Sequence, residues 1–148
     1  MKKIYQNTQL YSECQLIALW NAARFHDVPV PEIGSEQYNK ICEDSCCIIG
    51  ACIDIRPELK RLKLKSVPGE NKLNWIKKNI PVALPVIHKR RGFHAVLVVK
   101  ANRNKLCLAN YADGRLCWPL WNNIKKMIPK APNNKVFGYR LRGESNSQ

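Results

Sequence analysis

A continuous apolar run of the roughly 18 residues that a membrane helix needs is missing from this chain. Acidic residues are scarce, 11 against 25 Lys and Arg. No apolar stretch of the kind found in secretory signals follows the basic opening Met1-Lys2-Lys3. There is no internal repeat, no low-complexity tract and no Gly-Gly pair. These absences argue against a membrane-spanning helix, a secreted precursor and a repeat array. The expected location is accordingly cytoplasmic or virion-associated.

What is present is the composition of one folded domain. Apolar residues make up 45% of 148 positions, enough for a single core and too few residues for two ordinary domains, so 1–148 is read as one unit. The net charge of +14 is unevenly placed: residues 1–50 balance at −2, residues 51–100 at +9 and residues 101–148 at +7. A basic body of this kind favours anionic partners: a nucleic acid, a phospholipid surface or an acidic protein.

Seven cysteines stand at positions 14, 42, 46, 47, 52, 107 and 117. Their odd number leaves at least one outside any set of disulfides within the chain. Cys42, Cys46, Cys47 and Cys52 supply enough thiolates for zinc. The adjacent pair and the lack of a flanking Cys-x-x-Cys favour packing or disulfides instead, and no metal or other cofactor is expected.

Ser12 and Gln15 form a Ser-x-x-Gln capping box before Leu16, Ile17, Leu19, Trp20, Ala22, Ala23 and Phe25. Apolar nearly all round, this helix is expected to be buried and to end near His26 ahead of Pro29 and Pro31. Short helices are expected from Ser35 to about Glu43, from Pro57 to Leu64 and over Lys72–Asn79. Strands are expected over Val82–His88, Phe93–Val99, Lys105–Tyr111, Arg115–Trp118 and Lys135–Arg142, with a short helix at Leu120–Met127. Helices first and an antiparallel meander second predict an α+β fold with segregated halves.

Cys14 falls in the opening turn of the buried helix, where free N–H groups and the helix dipole favour a thiolate. A small core cysteine would occupy the same place. His94 opens a strand beside Gly92, with His88 its nearest rival as a base. Asn110 follows 16 residues later, at the end of the next strand, where its amide can orient an imidazole; Asp113 is the other candidate. Gln9, or else Gln6, is placed to donate to an oxyanion. Lys89, Arg90 and Arg91 adjoin His94 and are candidates for binding acidic substrate residues.

The order Gln, Cys at a buried helix start, His opening a strand and Asn closing the next resembles papain-like cysteine peptidases. The nearest likeness is to the peptidases that remove double-glycine leaders from bacteriocin precursors. Gly92-Phe93-His94-Ala95-Val96-Leu97-Val98-Val99 resembles their base strand, and Lys105–Asn110 the strand of the third residue. The likeness covers about Gln9–Phe25 and Val82–Tyr111. It implies a papain-like fold and peptide-bond hydrolysis by Cys14, His94 and Asn110 through a thioester, with Gln9 in the oxyanion hole and a peptide or protein as substrate. Glu13-Cys14-Gln15 stands where that family usually has Asp-Cys-Gly, and Asn110 where it usually has Asp. Gln9 is one residue nearer the cysteine than usual. Two other readings share these residues: a catalytically silent basic binding module of the same fold, and an amide-acting transferase or deamidase.

Overall fold

A computed structural model describes Tyr5 and residues 14–32, 34–44, 59–63, 69–88, 92–112, 115–129 and 136–141. The helices are α1 (Cys14–Phe25), α2 (Glu36–Asp44), α3 (Gly69–Lys78) and α4 (Trp121–Met127). The strands are β1 (Leu59–Lys63), β2 (Val82–His88), β3 (Gly92–Ala101), β4 (Leu106–Ala112), β5 (Arg115–Cys117) and β6 (Phe137–Leu141). They form one antiparallel sheet in the order β1-β6-β2-β3-β4-β5. The fold is α+β.

The sheet sits between two helical layers. Leu97, Val99, Ala83, Cys107 and Ala109 pack on one face against α1 and Tyr38 of α2. Val82, Leu84, Val86, Val96, Val98, Leu106 and Leu108 pack on the other with Ile76 of α3 and Trp121 and Ile124 of α4. Burial on both faces explains why β2 and β3 read as unbroken apolar runs rather than as alternating ones. It also corrects the expectation of a helical half followed by a sheet half, because helices cover both sides of one sheet.

α1 is buried along its length, with Leu16, Ile17, Leu19, Trp20, Ala22 and Ala23 fully enclosed. Burying one such large side chain is worth about 1.5–3 kcal/mol, so the helix is held by its surroundings rather than by its propensity. Trp20 meets Tyr38 edge-on at 5.9 Å and donates its indole N–H to the Pro31 oxygen at 2.8 Å, which ties the loop and α2 to α1. The helix stops before the prolines. Asp27 takes a left-handed φ of 60°, and Val28 N–H returns to the Ala23 oxygen at 2.8 Å while Asp27 N–H returns to Arg24 at 3.1 Å. That is a Schellman ending, which satisfies the last carbonyls of the helix.

The segment expected as a helix over Pro57–Leu64 contains strand β1, paired along its length with β6 from Leu59↔Leu141 to Lys63↔Phe137. Leu, Lys and Arg are good helix formers, and a distant partner strand overrides that local preference. The other strand and helix expectations over 82–141 agree with the observed elements to within a few residues.

Candidate functional site

Cys14 is the first residue of α1 and is 5% exposed. Its helix packs against β3, the central strand that carries His94. His94 is 2% exposed and Asn110, on β4, 4%. A buried imidazole and a buried amide need partners, because leaving either unsatisfied costs about 1–3 kcal/mol.

His94 and Asn110 meet directly. Nε2 of His94 lies 2.6 Å from the main-chain oxygen of Asn110. A carbonyl oxygen can only accept, so Nε2 carries the hydrogen and donates it. In the neutral ring Nδ1 then holds the lone pair, and it is the nitrogen able to take up a proton. The sequence pointed to the Asn110 side chain as the orienting group; the atom 2.6 Å from the imidazole belongs to its backbone.

The backbone explains the arrangement. Asn110 has a φ of 61°, left-handed geometry that Asn tolerates better than most residues. The pairing of β4 with β5 shifts register between Leu108 and Ala112, across this position. Irregularities of this kind re-aim groups that a regular ladder would keep in its own hydrogen bonds. The signal for it in the sequence was the asparagine itself.

Strand alternation fixes the row from which His94 rises. Its β2 partner is Val86, and Val96 and Val98 pair with Leu84 and Val82 without a break. Those four valines and leucines, with Val86, belong to the core on the α3 and α4 side, whereas Leu97 and Val99 face α1. His94 thus starts from the row opposite the one that contacts the helix of Cys14.

His26 is also anchored by a backbone oxygen, with Nε2 donating to Tyr139 at 2.8 Å from the far end of α1. That bond ties the helix terminus to β6 and stands apart from His94. Cys107 is fully buried in the sheet, and burial pushes its thiol above the ordinary range, with Cys117 adding to the rise and Lys100 opposing it. A raised thiol is the opposite of what a nucleophile needs.

Gln6, Gln9, Ser12, Lys89, Arg90, Arg91, Asp113, Cys46, Cys47 and Cys52 lie outside the described residues, as do the side chains of Gln15, Cys42 and His88. Among the described residues no three His, Cys, Asp or Glu side chains are grouped to hold a metal ion, and no helix is long and apolar enough to cross a membrane. The chain matches no family model and none of the curated proteins.

Proposed function

We propose that the chain is a cysteine peptidase of papain-like architecture, with Cys14 as nucleophile and His94 as general base. The observation that carries this reading is the bond from His94 Nε2 to the Asn110 oxygen, which fixes the ring and leaves Nδ1 as its basic nitrogen, on a strand whose other face packs against α1. A buried helix opening with a cysteine, followed by the β2–β5 meander with His94 on β3 and Asn110 on β4, supports this reading.

In this mechanism Nδ1 takes the proton from the Cys14 thiol. The thiolate attacks the carbonyl carbon of a peptide bond, and the carbonyl oxygen becomes an oxyanion held by the Cys14 N–H and by Gln9. The imidazolium returns its proton to the departing amine as the C–N bond breaks, leaving a thioester. Water, deprotonated by the same nitrogen, then releases the acid and restores the thiol. Throughout, Nε2–H stays on the Asn110 oxygen and fixes the ring. A transferase or deamidase would use the same thioester with a different leaving group or acceptor. Lys89, Arg90 and Arg91 are assigned the binding of acidic residues beside the scissile bond.

The second reading, a catalytically silent basic module, draws on the row from which His94 rises. There the imidazole serves only to hold the irregular end of β4. The two readings separate on the alkylation rate of Cys14, followed peptide by peptide against pH in the wild type and in His94→Ala. A working pair gives rapid alkylation near neutrality that slows in the variant, together with a loss of peptide hydrolysis of about 10²–10⁴-fold. If Cys14 reacts in both proteins only near the free thiol value of about 8.5, the peptidase reading is wrong.

A further inference from the structure

From β5 the chain runs on to Leu120 alongside β4. Cys117 pairs with Leu108, Leu106 N–H bonds the Pro119 oxygen at 3.1 Å, and Leu120 bridges Lys105. Alternation along this stretch sends Leu116, Trp118 and Leu120 to one side. They are 37%, 44% and 40% exposed, an apolar row at the end of the sheet order rather than one stray side chain. Lys105, the bridge partner of Leu120, is exposed beside it. Lys100, paired with Cys107, and Arg103 are exposed nearby on the β3–β4 side.

The sequence around the row is strongly basic. From Gly92 to Pro129 the sequence holds one acid, Asp113, against Lys100, Arg103, Lys105, Arg115, Lys125 and Lys126. A second copy of the chain would bring the same positive field to the contact and be repelled. A lipid surface needs apolar groups that reach several ångströms into it, whereas these three side chains are each less than half exposed. An extended chain with apolar residues at two-residue spacing matches the row, and acidic residues between them match the lysines.

We infer that the Leu116-Trp118-Leu120 row is a docking surface for an extended acidic peptide segment of a partner protein, with Trp118 as its central anchor. This inference does not depend on the thiol chemistry.

The test uses the full chain and a fluorescently labelled peptide of alternating Glu and Leu, read by anisotropy. Binding should fall at least about tenfold in Trp118→Ala and in Leu120→Ser, and by a smaller factor in Lys105→Glu. Ile87→Ser, which alters another exposed apolar residue, should bind as the wild type does. Unchanged circular dichroism and melting of each variant establish that the fold is kept. Equal binding by wild type, Trp118→Ala and Leu120→Ser would overturn the inference, since it would reduce the interaction to general charge attraction. So would a Trp118-dependent preference for phosphatidylserine vesicles over the peptide, or a wild-type dimer that Trp118→Ala dissolves.

Discussion

Asn110 combines a left-handed backbone, deep burial and an oxygen 2.6 Å from the His94 ring. These separate two roles that one side chain is easily credited with. If the backbone oxygen orients the imidazole, Asn110→Gly keeps the essential geometry, because glycine adopts positive φ freely. Asn110→Ala carries a Cβ without the amide and should lose about 1–2 kcal/mol of stability from the left-handed conformation. The expected outcome is therefore that the glycine variant retains the Nε2–H tautomer, read from the imidazole nitrogen shifts, and most of any hydrolytic activity. Loss of the tautomer in the glycine variant would return the orienting role to the side-chain amide. The interval from His94 to Asn110 was readable in the sequence as one hairpin. Which atom makes the contact was not, because an asparagine tolerates left-handed geometry without fixing whether its side chain or its backbone oxygen meets the ring.

At the scale of elements, strands and helices with strong local signals are legible in the sequence. β2, β3 and β4 are rich in Val, Ile, Leu and Ala between clear turns, and α1 is an apolar helix of ordinary length. β1 is the exception: Leu59–Lys63 has helix-forming residues and becomes a strand by pairing with β6. β6 itself lies between β1 and β2, a placement that depends on contacts across most of the chain. Its seat is tight at Gly138. A Cβ there would come 3.2 Å from the Asn79 main-chain oxygen and 3.3 Å from the Asn79 Cβ, both at the end of α3. Asn79 cannot simply yield, because its side-chain amide N–H donates to the Trp75 oxygen at 2.8 Å and its Oδ1 accepts from Arg140 at 3.1 Å. Gly138→Ala should therefore cost about 1–3 kcal/mol, seen as a lower urea midpoint with an unchanged slope. A neutral result would mean that α3 shifts on the sheet without penalty.

For the whole molecule, alkaline pH sets two effects against each other. Burial raises the thiol of Cys107 and the phenols of Tyr5 and Tyr111, so the folded state holds protons that the unfolded chain gives up first. Stability contributed this way is complete below the ordinary thiol value of about 8.5 and is lost as pH rises through the raised folded values. The net charge of +14 acts the other way, because lysines that begin to lose protons relieve repulsion across the fold. Salt separates the two. At about 1 M ionic strength the screening length is about 3 Å, which removes most repulsion between exposed lysines and leaves a buried thiol little affected. Melting temperature measured in high salt should fall steadily above about pH 8.5. In Cys107→Ala the curve should start lower, because a core side chain is cut back, yet decline less steeply over the first stretch of that range. The slope rather than the starting point carries the argument: equal slopes in the two proteins would mean that the Cys107 thiol ionises in the fold as readily as in the open chain.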